Sequence, residues 1–232
     1  MAGLMPQLRP FATMVWAALQ SSHEPAIPVR QLSTPLRWFS ALAKTSFTSL
    51  ERRCRSRAPY YTLITFDGSL KGGGATLQTA VADLHNASKQ PFVTYWHSEW
   101  TEEDLAVAQV KAGDPSGQAR LEALTLLIAI TLWRQVITDA QGRLAIVGDA
   151  LGVLHDAIRL RAKDSVLNSI MCELALVLAP TGQSLQGAHI WSERNSICDD
   201  LSRITENGNP PQSLASTRRT RRRSRAYEFL GK

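Results

Sequence analysis

The sequence predicts an α/β fold built on a mixed sheet of five strands, three antiparallel and two parallel, flanked by helices. Three β-branched and aromatic segments follow one another between residues 60 and 97 with only turns between them, which is typical of an antiparallel meander. Two later apolar segments are each reached through helical segments, which is typical of parallel strands joined by crossovers. The predicted element order is therefore β-β-β-α-β-α-α-β-α.

The meander is predicted from local composition. Tyr61–Phe66 is β-branched and aromatic and indicates a buried strand that runs into Asp67-Gly68-Ser69. The triple glycine Gly72–Gly74 indicates a turn. A second strand is predicted over Ala75–Ala82 and a third over Phe92–His97.

The second half of the predicted domain alternates helices and strands. A loop at Gly113–Gly117 precedes a long apolar helix, and Asp164-Ser165 is a suitable N-cap for a later helix. In chain order the predicted elements are a helix over about Gln118–Thr138, a strand over Leu144–Val147, helices over about 151–159 and 164–178, a strand over Ala188–Trp191 and a helix over Ser196–Ile204.

The length of 232 residues suits one domain with flanking segments. We place the domain at residues 60–204. Residues 1–59 are predicted to be a basic helical or linker segment, with a small helix at Leu36–Leu42, and residues 205–232 a disordered Arg-rich tail. Within the tail, Thr217–Arg225 is also a candidate nuclear-localisation or phosphate-binding segment.

The net charge of +6 is unevenly distributed. Residues 1–59 carry eight basic and two acidic residues, residues 60–203 carry 11 basic and 16 acidic ones, and residues 204–232 carry seven basic and two acidic ones. An acidic centre therefore lies between two basic arms. Basic arms favour a polyanionic partner, and an acidic centre beside them is compatible with metal ligation, although a plain acidic domain with Arg-rich tails also fits.

The three cysteines argue against a disulfide framework and a structural zinc site, because Cys54, Cys172 and Cys198 form no CxxC pair and no zinc-finger spacing. We expect a reducing compartment, cytoplasmic or nuclear. No stretch approaches the roughly 20 apolar residues of a membrane span. Residues 1–57 are Arg- and Ser-rich and poor in acids, so organelle targeting by this segment is a further interpretation.

Four acidic residues lie where the predicted fold could bring them together. Asp67 and Asp149 end the first and fourth strands, Glu122 lies one turn into the long helix, and Asp199 lies in the first turn of the last helix. Taken singly, each has a structural explanation as a turn, cap or surface residue. Taken together they form a candidate site, because ligand sites in such sheets lie outside strand ends.

Clustered carboxylates favour divalent metal ions. Carboxylate oxygens are preferred ligands of Mg²⁺ and Mn²⁺, and several acids in one place repel one another unless a cation neutralises them. A pair of such ions can activate a water and stabilise the leaving oxygen of a phosphodiester. This chemistry suits an acidic pocket between arms that bind a polyanion.

These residues resemble the motifs of ribonuclease H domains. The segment Asp67–Leu77 resembles the opening Asp-x-Ser-x-x-Gly-x-Gly hairpin, Glu122-Ala123-Leu124 the second motif and Val147-Gly148-Asp149 the third. His189–Arg203 resembles the "His…Asn-x-x-Ala-Asp-x-Leu-Ser-Arg" ending of the ribonuclease H domains that follow reverse transcriptases in retrotransposons. The resemblance covers about residues 60–204 and implies a ribonuclease H-like fold.

The family implies a metal-dependent endonuclease that hydrolyses the RNA strand of RNA–DNA hybrids and leaves 5′-phosphate and 3′-hydroxyl ends. By the same resemblance, Asp67, Glu122, Asp149 and Asp199 are the catalytic acids and hold two Mg²⁺ (or Mn²⁺) ions, with Asp67 bridging them. His189 assists proton transfer or product release. An RNA–DNA hybrid is the implied partner, a reverse-transcriptase polymerase module is a further candidate partner, and no membrane is expected.

Residues 1–58 resemble, more distantly, the connection stretch that precedes such a domain. Leu36–Phe39 and Leu50–Arg53 suggest it, while no Tyr-x-Asp-Asp-like polymerase motif occurs. The chain therefore looks like the downstream piece of a retroelement polyprotein. It departs from the family at Gly148-Asp149-Ala150, where Ser-Asp-Asn is usual, and at Trp191-Ser192, where Pro-Gly is common.

Other interpretations stay open. The fold could persist as a decayed module that only binds nucleic acid, or belong to another nuclease of the same fold, such as an integrase or resolvase. His189 could be a core histidine bonded to the backbone. Of Trp96, Trp100 and Trp191, we expect two in the core and one free to stack on nucleic acid.

Overall fold

The computed structural model describes residues 8–21, 29–44, 60–84, 91–140, 143–205 and 208–222. Its centre is a mixed sheet of six strands in the order β5-β4-β1-β2-β3-β6, flanked by helices. The strands are β1 Tyr61–Gly68, β2 Gly72–Val81, β3 Thr94–Glu99, β4 Arg143–Gly148, β5 Leu185–His189 and β6 Arg218–Arg219. The predicted α/β class is confirmed, and the arrangement is consistent with a ribonuclease H-like fold.

The strand directions follow the prediction. β1 and β2 pair antiparallel, as do β2 and β3, while β4 runs parallel to β1 and β5 parallel to β4. The predicted last strand over 188–191 is misplaced, since β5 begins at Leu185 and ends at His189. Its residues are more polar and exposed than those of β4, so an apolar run did not mark its start.

The triple glycine is part of a strand, contrary to the predicted turn. The turn is made by Ser69–Lys71, where the backbone N–H of Ser69 donates to the carbonyl of Gly72 over 2.9 Å. Gly72–Gly74 open β2, and neighbouring parts of the chain pack directly against them. A Cβ on Gly73 would lie 2.7 Å from Thr125 Oγ1, so the absence of a side chain permits close packing here.

The helices surround the sheet on both faces. In chain order they are α1 Arg9–Ser21, α2 Val29–Lys44, α3 Glu102–Ala108, α4 Gln118–Leu132, α5 Arg134–Asp139, α6 Leu151–Arg159, α7 Ser165–Leu178 and α8 Ser196–Arg203. The long helix predicted to Thr138 is interrupted at Trp133, where the backbone leaves helical geometry (φ −104°, ψ 14°). Asp164 caps α7 as predicted, and α3 was not predicted.

Alternation along the strands divides the core. Ile64, Phe66 and Leu77 face α4, which lies across β1 and β2 and is backed by α7. Side chains of opposite parity, such as Leu63 and Tyr95, face the side on which the short α8 packs. Among the described residues, α4 covers one face of the sheet and the short α8 covers part of the other.

The N-terminal helices belong to the same core. Phe11 of α1 is fully buried and contacts the rings of Trp38 and Phe39 from α2 at 6.1 and 5.6 Å between centroids. Both helices contact α7. Residues 29–44 form one helix, longer than the small helix predicted at Leu36–Leu42, and Leu50–Arg53 lies outside the described residues.

The C-terminal stretch is ordered over residues 208–222, which corrects the predicted disordered tail there. β6 adds a parallel strand beside β3, and the backbone N–H of Thr220 donates to the Tyr95 carbonyl over 2.7 Å. Thr94 Oγ1 donates to the Arg218 carbonyl over 2.7 Å, and Leu214 is fully buried. The sixth strand escaped prediction because it is two residues long and lies in an Arg-rich run without apolar alternation.

A buried ion pair holds the end of this stretch. Both Nη atoms of Arg222 donate to Asp104 at 2.9 Å, and Asp104 also accepts from the backbone N–H and hydroxyl of Thr101. The Asp104 side chain is fully buried. The pair therefore ties the C-terminal stretch to the start of α3.

We expect Arg222→Gln to lower the free energy of unfolding by about 2 kcal/mol, because a buried carboxylate loses a charged partner but keeps its bonds to Thr101. Urea denaturation of the full chain would measure this. Arg221→Gln, at a neighbouring exposed arginine, is the matched control and should change stability by less than about 0.5 kcal/mol. Equal stability of the two variants would contradict the structural role of Arg222.

Among the described residues, no helix is both long enough and apolar enough to span a membrane.

Candidate metal centre

Asp67 and Asp149 come side by side at one edge of the sheet. Thr65 of β1 is paired with Val147 of the parallel strand β4, and each acid lies two residues further along the chain, with Asp149 directly after the end of β4. Since alternate residues point to the same face, both carboxyl groups belong to the face that α8 covers. The predicted strand-end position of both acids is thus explained by the register of a single parallel pair.

Asp67 is nearly buried, with 7% of its surface exposed. Ser202 Oγ on α8 donates to Asp67 Oδ2 over 2.7 Å. Burial raises the pKa of Asp67, the Ser202 hydroxyl opposes that rise, and the charges of Asp149 and Asp199 add to it. Asp67 therefore lies within electrostatic reach of two of the other predicted ligands.

Glu122 reaches the same edge from the opposite face of the sheet. It lies in the second turn of α4, whose backbone approaches Gly68 so closely that a Cβ there would lie 2.8 Å from Glu122 Cα. Gln118, one turn earlier, donates to the Gly68 carbonyl and, over 3.1 Å, to Glu122 Oε1. This pair of bonds fixes the start of α4 against the end of β1.

Burial raises the pKa of Glu122 to about 7, with the Gln118 amide opposing the shift and the charges of Asp67 and Asp149 adding to it. Its Oε2 atom is buried and has no hydrogen-bond partner. A buried carboxylate oxygen without a donor is costly, and a cation would satisfy it.

Asp149 and Asp199 are more exposed and have partners within the His189–Arg203 segment. Ser192 Oγ donates to Asp149 Oδ2 over 2.8 Å. Arg203, one turn along α8, donates to Asp199 Oδ1 through Nε at 3.0 Å and Nη2 at 2.5 Å. Arg203 also lowers the pKa of Asp67, so its guanidinium charge acts on two of the acids.

The four acids are thus gathered around Asp67, but each is held by a group of the protein. Within the described ranges, no three His, Cys, Asp or Glu side chains stand in an arrangement that could hold a metal ion. The donor set is nevertheless one that suits Mg²⁺ or Mn²⁺, since it consists of carboxylates and includes the unsatisfied Glu122 Oε2. Both bonds from Arg203 go to Asp199 Oδ1, and ligation by all four acids stays a prediction.

His189 is exposed at the end of β5, which excludes the interpretation as a core histidine. Its Nε2 atom lies 3.1 Å from the carbonyl oxygen of Asp149, to which it donates, and its ring contacts that of Trp191 edge to face at 5.3 Å. The structure thus places the predicted catalytic histidine beside one of the predicted metal ligands.

The three tryptophans divide as expected. Trp96 is buried in the core. Trp100 is half-buried and donates from Nε1 to the Ser69 carbonyl over 2.8 Å. Trp191 is 69% exposed and is the one free to stack on a ligand.

The residues that hold the acids in place had no predicted role, although the Leu-Ser-Arg ending of the family motif includes two of them. The four residues are Gln118, Ser192, Ser202 and Arg203. Helical spacing was an available signal for two of them, since Gln118 precedes Glu122 by four residues and Arg203 follows Asp199 by four. Ser202 could not be found in this way, because the residue that it contacts lies 135 positions away.

Gly74 sets the distance between the sheet and α8. It is paired with Asp67, and a Cβ at this position would lie 2.7 Å from the backbone nitrogen of Ser202 and closer still to Leu201 Cβ. Any side chain would therefore push away the helix that carries Asp199.

We expect Gly74→Ala to destabilise the protein by about 2 kcal/mol through overpacking. Gly152→Ala is the matched control, because a Cβ there meets nothing within 4 Å and the residue lies in α6, where alanine is favoured over glycine. Urea denaturation of both variants would measure the difference. A Gly74→Ala variant as stable as Gly152→Ala would show that α8 can move without cost.

Comparison with known proteins gives little further information. No protein-family model and no curated protein matches the chain. Two solved structures of the foamy viral protease-reverse transcriptase, both in complex with double-stranded DNA, are similar to it at a TM-score of 0.34. Identity is 11% over 90% of this chain for the first and 12% over 81% for the second, a dRH form. The chain spans 39% and 31% of their lengths, and likeness at this TM-score does not establish a shared fold or activity.

Proposed function

We propose that this chain is a metal-dependent endonuclease that hydrolyses the RNA strand of RNA–DNA hybrids, as part of a retroelement replication machinery. The observation that carries the proposal is the convergence of Asp67, Glu122, Asp149 and Asp199 at one edge of the sheet. They come from two strands and two helices, and the pKa values of Asp67 and Glu122 are raised in part by the neighbouring carboxylates. Such mutual repulsion is typical of sites built for a charged function.

Asp67, Glu122, Asp149 and Asp199 would hold two Mg²⁺ or Mn²⁺ ions. The ions would supply a water made nucleophilic at neutral pH and charge stabilisation for the leaving oxygen. Asp67, whose pKa is raised by Asp149 and Asp199 and which itself raises the pKa of Glu122, would occupy the central position. His189, exposed next to Asp149, would move a proton at the rim of the site.

The proposed nucleic-acid contact surface lies around the same segment. Trp191 and Arg194 are exposed within four residues of Asn195. Trp191 would stack on a base and Arg194 would bind a phosphate group. Recognition of 2′-hydroxyl groups would distinguish the RNA strand. The proposed protein partner is a reverse-transcriptase polymerase module. The proposed location is the cytoplasm or the nucleus, and organelle targeting by residues 1–57 is the alternative.

A second candidate is a decayed module that binds nucleic acid without cutting it. It is favoured by the Asp199–Arg203 ion pair and by the lack of a ready metal-holding group among the described side chains. Ala150, where the family usually has Asn, removes one more polar neighbour of Asp149.

The deciding experiment compares wild type with Asp67→Asn on a labelled RNA–DNA hybrid in the presence of Mg²⁺ or Mn²⁺. Metal-dependent cleavage of the RNA strand by the wild type alone supports the nuclease. Wild-type cleavage no faster than that of Asp67→Asn excludes it. Salt-sensitive binding of the hybrid without cleavage supports the second candidate.

A further inference from the structure

A cavity of about 330 Å³ lies on the sheet face that α8 covers in part. Its floor is formed by sheet residues that include Leu63, Thr76 and Val147, and Ile197 and Cys198 of α8 line one side. This volume is in the range of pockets that bind small molecules. The cavity shares His189 with the proposed active site, but none of the four acids lines it.

Aromatic side chains form part of the cavity wall. Phe92, His189 and Trp191 all contribute to its wall, and the rings of the last two are in contact edge to face. The Trp191 side chain is largely exposed and offers a large surface to a flat ring, and aromatic pairs add attraction beyond burial alone. Thr65, Gln78 and Arg194 add polar groups to the lining, so the cavity suits an aromatic ligand that also carries a hydrogen-bonding group.

One polar atom in the lining residues lacks a partner. Asn195 is 2% exposed and its Nδ2 donates to the Phe66 carbonyl over 3.2 Å, while its Oδ1 is buried without a hydrogen bond. Leaving such an acceptor unpaired is unfavourable. Because Oδ1 can only accept, its natural partner is an N–H or O–H group.

We propose that this cavity is a binding site for a small planar heteroaromatic molecule with a ring N–H that donates to Asn195 Oδ1. The apolar floor takes the ring, Phe92 and Trp191 enclose it, and the amide of Asn195 sets its orientation. Asn195 lies at the start of α8, so an occupant contacts the segment that carries Asp199. The proposal does not depend on metal binding or on nuclease activity.

Indole and benzofuran test the proposed hydrogen bond to Asn195 Oδ1, since the two molecules have the same shape and only indole carries an N–H. Each is titrated into ¹⁵N-labelled full-length protein without metal, and amide shifts are followed. We expect indole to bind with a Kd of about 1 mM and to shift residues that line the cavity. Benzofuran should bind about tenfold more weakly, because it leaves Asn195 Oδ1 unpaired.

Ala188→Phe provides an independent test. Ala188 lines the cavity from β5, outside the acidic cluster, so phenylalanine there should fill the space and weaken indole binding at least about tenfold. Ala106→Phe is the matched control, because Ala106 is exposed on α3, and it should bind indole like the wild type.

Three outcomes would overturn the proposal. They are the absence of saturable indole binding up to about ten times the expected Kd, equal affinities for indole and benzofuran in the wild type, and indole-induced shifts that lie away from the cavity. The comparison of the two probes uses only the wild type, so it remains decisive if Ala188→Phe fails to fold. Loss of hybrid cleavage in the separate nuclease assay would leave this result unaffected.

Discussion

Asp67→Asn is expected to reduce cleavage of an RNA–DNA hybrid by at least about 10³-fold, which corresponds to about 4 kcal/mol of transition-state stabilisation. The amide has almost the same shape and can still accept the hydrogen bond from Ser202, so the fold should be preserved. What disappears is the charge at the centre of the acidic cluster. Single-turnover cleavage rates in Mg²⁺ measure the effect.

The same substitution should leave the metal-free protein at least as stable as the wild type at neutral pH. Burial and the charges of Asp149 and Asp199 raise the pKa of Asp67, so the ionised form is unfavourable in the folded state. Opposite effects on activity and stability are typical of functional acids. Asp200→Asn, at the exposed neighbour of Asp199, is the matched control and should change neither quantity.

A substantial loss of stability in Asp67→Asn would contradict this interpretation and indicate that the carboxylate has a structural role. Wild-type rates in the variant would show that Asp67 is not a ligand. Both results can be obtained from one preparation of each protein.

Glu122→Gln is expected to change how stability depends on pH. The pKa of Glu122 is raised to about 7 from its ordinary value of 4.5, so the folded protein binds more protons than the unfolded chain between these values. Wild-type stability from this group is therefore greatest below about pH 4.5 and is lost as pH rises through about 7.

The Glu122→Gln variant does not lose stability as pH rises, because glutamine does not ionise. Relative to wild type, it should gain little stability at about pH 4.5 and on the order of 3 kcal/mol above pH 7, since a pKa unit corresponds to about 1.4 kcal/mol. Denaturant unfolding at about pH 4.5, 6 and 8 in the absence of divalent metal measures the difference. The variant should also lose hybrid cleavage if Glu122 holds a metal ion.

Glu99→Gln is the matched control, because Glu99 is exposed at the end of β3 and should show a difference from wild type that does not grow with pH. If the difference in free energy of unfolding between Glu122→Gln and wild type also did not change with pH, Glu122 would ionise normally in the folded protein. The explanation from burial beside Asp67 and Asp149 would then be wrong.

Much of the fold was predictable because it is encoded over short distances. The strand composition around Ile64 and the apolar residues of α4 and α7 can each be recognised within a short stretch of the sequence. The triple glycine was misinterpreted as a turn because a local pattern cannot reveal that α4 and α8 press on it. Connection rules predicted the order of the first five strands, but they did not predict the sixth strand beside β3.

The candidate site was predictable in its acids but not in their surroundings. Asp67 and Asp149 could be located from strand ends, and their adjacency follows from parallel pairing. The bonds from Ser202 to Asp67 and from Arg222 to Asp104 join residues 135 and 118 positions apart. No spacing rule connects such residues.

The sequence by itself determined the α/β class, the order of the first five strands and the positions of the four acids, two at strand ends and two in early helix turns. Periodicity and residue type act through neighbouring residues, and these features depend on nothing more. The tertiary structure alone decided which groups hold the acids, which way the Arg-rich stretch docks and where a cavity opens beside α8. Those features depend on the packing of side chains from distant parts of the chain, which local patterns do not record.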